Sequence, residues 1–333
     1  MRAMVLERPA PVESRPLRPV DLPKPEIAAD EVLIRVGACG VCHTDLHIVE
    51  GEIALPRLPL VPGHQIVGTV ERAGCQVVGL GIGDRAGIAW LHATCGKCEY
   101  CKQGLENLCV DARFTGYHVH GGYAEHVAVK HSFSYRLPDG FDDLAAAPLL
   151  CAGIIGYRAL RLCGYETGGN LGLYGFGASA HIALQVARYQ GCDVYVFSRT
   201  RDHQRLALEL GAVWAGGVEK DPPRRMDHSI IFAPAGPLVP VALSHLNKGG
   251  TLALAGIYMT PIPSIDYNEF LYGERKMTSV TASTRADARS FLELAAKIPV
   301  RTKIEVFALE DANLALKLLK ERKIAGAAVL KIN

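Results

Sequence analysis

Four cysteines lying close together, Cys95, Cys98, Cys101 and Cys109, follow the pattern C-x2-C-x2-C-x7-C. Thiolates at that spacing can converge on one tetrahedral ion. A set without histidine or carboxylate leaves no open position, so the expected chemistry is a structural zinc that folds a loop. An iron–sulfur cluster also uses four cysteines, but at other spacings. A second cluster runs from Cys39 through Cys42-His43-Thr44-Asp45-Leu46-His47 and is followed by Gly63-His64-Gln65. Cys39 and Cys42 alone read as a C-x-x-C redox pair. Cys42 and His64 instead offer a thiolate and an imidazole to a catalytic zinc, which takes three protein ligands and keeps a fourth place open. Cys151, in Leu149-Leu150-Cys151-Ala152-Gly153, is available as the third. On chemistry alone a cysteine in such an apolar run is as readily a buried core residue. Without further context Asp45 reads as a helix cap.

A third motif, Gly175-Phe176-Gly177-Ala178-Ser179-Ala180, has the form G-x-G-x-x-A between an apolar run and a helical pattern. This is the context in which a dinucleotide pyrophosphate meets a helix N-terminus: Gly175 for the tight turn, Gly177 for close backbone approach, Ala180 for helix–strand packing. About 20 residues on, an acid would select the ribose of NAD and an arginine would accommodate the phosphate of NADP. The chain reads Phe197-Ser198-Arg199-Thr200-Arg201 there. Asp193 begins the same strand, about 16 Å from its far end at ~3.3 Å per residue. NADP(H) is therefore expected over NAD(H), held by Ser198, Arg199 and Arg201.

The elements around these motifs fall into two textures. The first ~135 residues hold short β-type runs broken by Gly and Pro, such as Val32–Val36, Ile66–Val70 and Tyr123–Val129, which favour an antiparallel, barrel-like unit. From Asn170 strands and helices alternate: strand Leu171–Tyr174, helix Ala178–Gln190, strand Val194–Phe197, helix Asp202–Leu210, then strands ending near Phe232 and at Ala255. Such alternation implies a parallel sheet covered on both faces. A final helix over Glu310–Lys323, acidic at its start and basic at its end, precedes a strand, Ala327–Ile332, that can return to the first unit.

The chain has 333 residues, 49% of them hydrophobic and 21% charged, so it can bury a large core and is not generally disordered. Its 36 Lys and Arg against 34 Asp and Glu, with no basic block, argue against nucleic-acid and membrane partners and for a small molecule. Charges at Arg2, Glu7 and Arg8 leave no room for a signal peptide, and the ten cysteines then read as metal ligands or reactive groups in a reducing, cytoplasmic setting.

Cys42 to His47, Gly63-His64, the four-cysteine loop and Cys151-Ala152-Gly153 together resemble a zinc-dependent alcohol dehydrogenase of the medium-chain dehydrogenase/reductase superfamily, over essentially the whole chain. The resemblance implies a Rossmann cofactor-binding domain, 152–281, inserted into a GroES-like, mostly β catalytic domain, 1–151 and 282–333, with substrate held in a cleft between them. It makes Cys42, His64 and Cys151 the catalytic zinc ligands, giving two zinc ions per chain. Asp45 becomes the carboxylate that orients the zinc-bound histidine, and Thr44 and His47 the route by which the alcohol proton leaves. His43 joins the cofactor contacts. The implied reaction interconverts a small alcohol with its aldehyde or ketone, in a homodimer or homotetramer, with pocket residues from Ile48 to Pro59 and Trp90. In two places the chain departs from the family. Gln65 stands where relatives carry a glutamate, and Gly326-Ala327 lacks their pyrophosphate-binding arginine, which shifts that contact toward His43. A non-enzymatic nucleotide-binding or redox-sensing protein on the same fold is the alternative that Gln65 encourages, and a zinc-free double-bond reductase is a nearer rival.

Overall fold

The computed structural model describes residues 1–165, 168–298 and 300–333. Two compact units form: Met1–Cys151 with Ala282–Ala296 and Arg301–Asn333, and Ala152–Thr281 with Lys297–Val300.

The first unit is built on strand Glu31–Val41, whose near-continuous apolar run Val32 to Val41 is buried because neighbours cover it on both faces. It pairs antiparallel with Gln65–Ala73, with His126–Lys130 and with Ala327–Lys331. The C-terminal strand thus completes the sheet begun near the N-terminus. Strands Arg85–Ile88 and Ser134–Arg136 extend the sheet on one side, and Ile304–Ala308, parallel to Ala327–Lys331, on the other. The β-structure expected over Tyr123–Val129 begins only at His126. Tyr123 and Ala124 pair instead with the N-terminal strand, the Tyr123 carbonyl accepting from the Met4 N–H at 2.8 Å. The final helix is shorter than the charge pattern implies, Ala312–Lys320 after a 3-10 turn at Leu309–Asp311. Arg322, with φ +58°, ends it. Its stripe of Ala312, Ala315 and Leu316 is fully buried in the core of this unit.

The second unit is a six-stranded parallel sheet in the order Trp214–Gly216, Cys192–Phe197, Gly169–Tyr174, Met226–Ile231, Leu246–Leu254, Lys276–Ser279. Numbered along the chain, that is 3-2-1-4-5-6, the doubly wound arrangement whose ligands sit at the carboxyl ends of the strands where the order reverses, between the first and fourth. Helices Ala178–Tyr189 and Arg201–Glu209 follow the first two strands, within a residue of the expected bounds. A helical run over Asp143–Cys163 is long and apolar enough to cross a membrane by composition, but 67% of its apolar window is buried inside the protein, as in a core helix.

Candidate active site

Antiparallel pairing builds the first half of the site. Strand Glu31–Val41 runs out with Gly40 opposite Gln65, so Cys42, just after its strand, and His64, just before its own, come to the same end of the sheet. Cys42 then caps helix His43–Glu50, and its main-chain N–H donates to Asp45 Oδ2 at 2.9 Å. Cys151 arrives from 87 residues beyond His64, after the turn Ala147–Leu150, where Leu150 lies against Gly87 of a neighbouring strand. Cys42 Sγ, Cys151 Sγ and a His64 ring nitrogen all lie within 4.8 Å of one another.

Asp45 is fully buried and all its acceptor positions are used. Oδ1 accepts from Gly63 N–H at 3.1 Å and faces His64 Nδ1 at 2.9 Å; Oδ2 takes the Cys42 N–H and the Tyr123 hydroxyl, at 3.3 Å. With the Nδ1 proton committed to a carboxylate, Nε2 is the ring nitrogen left to a ligand, on the side of Cys151 Sγ, 3.3 Å away. The helix starts earlier than the cap reading of Asp45 required: Cys42 is its cap, and Asp45, at the third helical position, reaches back to the Cys42 N–H with Oδ2 while Oδ1 faces His64. Burial works against charging His64, yet the Asp45 carboxylate and the Cys42 sulfur hold its pKa up at about 10. Cys42 is pulled well below the ordinary thiol value, first by the Cys151 thiol and then by His64. Two sulfurs and an imidazole sharing protons in a buried pocket form a donor set that a soft divalent cation satisfies. With tetrahedral zinc at about 2.3 Å from sulfur and 2.0–2.1 Å from nitrogen, S and N stand roughly 3.5 Å apart, close to the separation found, so the residues fit zinc.

Cys39, three residues before Cys42, is packed in the sheet core with no exposure, and burial pushes its thiol well above the usual value. An inert core thiol is a poor half of a redox pair. Gln65 is also buried, against Gly40, where a neutral amide costs less to desolvate than a carboxylate. Trp90 packs edge-on to His64 with ring centroids 4.8 Å apart, and Phe114 stacks on Trp90 at 4.9 Å. Thr44 Oγ1 lies 3.7 Å from Cys42 Sγ, and His47, one turn further along the same helix, places Nδ1 against the Glu52 carboxylate. His43 opens the helix, its ring 6.5 Å from that of His47; burial lowers its pKa.

The four-cysteine loop closes likewise. Cys98 and Cys101 belong to a short helical turn, Cys109 ends a 3-10 turn, and all four sulfurs lie within 4.8 Å of one another. Cys95 Sγ is 3.5 Å from Cys109 Sγ and 4.0 Å from Cys101 Sγ. Thiolates around one tetrahedral zinc stand roughly 3.8 Å apart. Main-chain N–H groups of Lys97 and Cys98 bring the Cys95 thiol down to about 6. Glu106 ties this loop to helix Arg285–Lys297 through Arg285, by a two-nitrogen grip at 2.5–3.0 Å and the Arg285 main-chain N–H at 2.8 Å. No local pattern points to this pair, which joins residues 179 apart.

In the second unit Gly175 takes φ +89°, and a Cβ there would stand 3.0 Å from Ala233. Gly177 meets nothing within 4 Å, so packing within the protein does not require its missing side chain. Open space over the start of helix Ala178–Tyr189, which no side chain caps, suits an approaching phosphate. Ala180 is buried. Ser198 lies at the end of the second strand, its carbonyl taken by Gln204; Arg199 and Arg201 are exposed, and neither forms an ion pair among the described residues. Asp193 sits at the far end of that strand, beside Arg188 at 3.8 Å.

Comparison with known proteins agrees with this geometry. Residues 28–139 match the alcohol dehydrogenase GroES-like domain and residues 180–297 the zinc-binding dehydrogenase domain. The chain is 47% identical to a probable alcohol dehydrogenase, AdhA, of Mycobacterium tuberculosis, covering 100% of this chain and 97% of that protein, and 36% identical to an alcohol dehydrogenase of Geobacillus stearothermophilus, covering 94% of each. Among solved structures, a cinnamyl alcohol dehydrogenase of Sorghum bicolor superposes with a TM-score of 0.91 at 28% identity, covering 99% of this chain and 97% of that one. The chain belongs to the zinc-type alcohol dehydrogenases of the medium-chain dehydrogenase/reductase superfamily.

Proposed function

We propose that this enzyme interconverts an alcohol and its aldehyde or ketone with a nicotinamide dinucleotide, in either direction, and uses NADP(H) in preference to NAD(H). The observation that carries the reading is the convergence of Cys42, His64 and Cys151, with Asp45 fixing the imidazole. Those three residues would hold a catalytic zinc, and Cys95, Cys98, Cys101 and Cys109 a structural one, two ions per chain. A zinc in the three-ligand set supplies Lewis acidity at neutral pH, and the dinucleotide supplies the hydride acceptor or donor. The chain's own residues do the rest. Asp45 keeps Nδ1 of His64 protonated and its ring in place. Thr44 and His47, on one face of their helix at i and i+3, carry the proton that leaves the alcohol. Trp90 and Phe114 form an apolar wall beside His64, which supports an alcohol with an apolar or aromatic substituent.

Gly175, Gly177 and Ala180 would receive the pyrophosphate, with His43 in the first unit as a further contact. For NADP(H) the support is local. Ser198 stands where NAD enzymes of the family place an acid, and Arg199 and Arg201 are exposed cations with no ion pair among the described residues. Arg201 is the first residue of its helix, a position where the helix dipole disfavours a cation. A homo-oligomer is supported by strand Lys276–Ser279, an edge of the parallel sheet, and by exposed apolar side chains on and before it, including Tyr267, Tyr272 and Met277. Ten unbridged cysteines favour a reducing, cytoplasmic setting. A panel of alcohols and carbonyl compounds, assayed in both directions with both nicotinamides and alongside zinc analysis, tests the reading. Equal or better use of NADH overturns the cofactor preference. Absence of turnover, with one zinc per chain and an oxidisable Cys39–Cys42 pair, overturns the enzyme in favour of the redox sensor.

A further inference from the structure

The segment 51–63 leaves helix His43–Glu50 and leads directly to His64, so both its ends are fixed by the candidate active site. The segment 115–123 is laid along it. Gly121 N–H donates to the Val61 carbonyl at 2.7 Å and Gly122 N–H to the Gly63 carbonyl at 2.9 Å, and a Cβ on Gly121 would stand 2.0 Å from the Gly63 oxygen. Further out, the Tyr117 hydroxyl donates to the Ala54 carbonyl at 2.6 Å, and its ring lies 6.0 Å from that of Trp90, the residue packed on His64. Between these two anchors Arg57 meets His120, Nη2 standing 3.3 Å from Nε2. The contact joins two donors. His120 Nδ1 accepts from the Val61 N–H at 3.1 Å, so it carries no proton, and the proton of the neutral ring is on Nε2. Burial, and then the Arg57 charge, lowers the His120 pKa and keeps the ring neutral at pH 7. A guanidinium offers no acceptor. Arg57 is exposed and forms no ion pair among the described residues.

Two donors held face to face are satisfied together by one acceptor that reaches both. An anion suits them better than water, because one donor carries a full positive charge and bonds between charged groups are the stronger ones. We propose that Arg57 and His120 form a subsite for a carboxylate, and that the alcohol this enzyme prefers carries one at the end of its chain remote from the hydroxyl. The apolar wall of Trp90 and Phe114 then serves the stem of a hydroxy acid, with the hydroxyl toward Cys42, His64 and Cys151 and the carboxylate toward Arg57. A free oxyanion such as sulfate offers the same chemistry to the same donors, and the test separates the two sources. This inference rests on the reading of the three-ligand set as the place where the alcohol reacts.

The test compares kcat/KM for a series of ω-hydroxycarboxylates with that for the unsubstituted primary alcohols of equal chain length, in the zinc-loaded enzyme. At the length that spans the two ends, the acid should be preferred roughly tenfold or more, the worth of one charged hydrogen bond. Arg57→Gln should cut the acid-to-alcohol ratio by that factor, and Arg57→Lys, which keeps the charge, should recover part of it. His120→Phe, a ring without a donor, should lower the ratio as well. A second arm needs no turnover: melting temperature is followed against glutarate and against sulfate in the parent and in Arg57→Gln, since a ligand that binds the folded state raises it. A rise that Arg57→Gln abolishes, with no preference for any hydroxy acid, supports the subsite but assigns it to free anions and overturns the substrate class. No acid preference and the same melting response in both proteins overturns the subsite altogether. If acids and neutral alcohols alike fail to react, the reading of the metal set falls instead, and the melting arm still judges Arg57 separately.

Discussion

Asp45→Asn changes one atom type at the point where the site is most tightly specified. The carboxylate is fully buried and serves four donors, two on each oxygen. An asparagine keeps one acceptor oxygen. If the amide nitrogen faced His64, the imidazole would have to accept at Nδ1 and carry its proton on Nε2, where a ligand lone pair is needed. The oxygen therefore stays with His64 and Gly63, and the nitrogen replaces Oδ2, opposite the Cys42 N–H and the Tyr123 hydroxyl. Tyr123 can rotate its proton and accept; the Cys42 N–H cannot. One buried donor is orphaned at a cost of about 1–3 kcal/mol. The two remaining bonds lose their charge assistance, on the order of 1 kcal/mol more. The expected destabilisation is about 2–4 kcal/mol, with zinc retention at His64 weakened roughly 10- to 100-fold. The chain has two tryptophans, one per unit, so Trp214→Phe leaves Trp90, which packs on His64, as the reporter for urea unfolding. An Asp45→Asn midpoint within about 0.5 kcal/mol of that parent, the range of an inert surface change, together with parent-like zinc release to a chelator, refutes the reasoning.

Three further outcomes follow from the same geometry. Cys109→Ser removes one thiolate of the four-cysteine set and should lower the zinc content by one ion per chain relative to the parent, with a lower melting temperature; an unchanged zinc content by elemental analysis would count against a shared site. Burial would raise the Glu106 carboxyl, but Arg285 outweighs that and holds it below its ordinary 4.5. Its stabilisation is then complete above pH ~4.5 and lost as pH falls through the lowered value, so Glu106→Gln should be less stable than the parent at pH 7 and flatten the decline in melting temperature below pH 5. A parallel decline in both proteins would remove Glu106 from the acid response. Arg199→Ala should raise KM for NADPH roughly tenfold or more, the worth of one charged hydrogen bond, and leave KM for NADH unchanged; equal effects on both would show that the guanidinium does not read the phosphate.

The parts of this protein that were legible in its sequence are those in which a few consecutive residues dictate a local shape. The doubly wound unit could be read because each strand–turn–helix step carries its own period, and the helices fell within a residue of their expected limits. The four-cysteine loop was equally plain, since its four cysteines lie within 15 residues. Where the reading slipped, a distant partner had displaced the local pattern. Tyr123 leaves the strand expected of it because its carbonyl pairs with Met4 and its hydroxyl is drawn to Asp45. Glu52 escaped notice because its carboxylate meets His47 only through the turn at Gly51, although the sequence Glu50-Gly51-Glu52 after a helical pattern is the signal that could have revealed it.

Sequence alone therefore determined which groups this protein can bring to chemistry: thiolates, imidazoles and a glycine-rich turn at a helix start, each set by side-chain type and short-range spacing. Tertiary structure decided which of them act together. Cys39 and Cys42 are three residues apart and parted by the fold, since one points into a sheet core and the other caps a helix. Cys42 and Cys151 are over a hundred residues apart and meet, because sheet register aligns two strand ends and the turn at Leu150 packs beside them. Hydrophobic burial fixes those positions, and a donor set spread that widely along the chain has no local periodicity from which to read it.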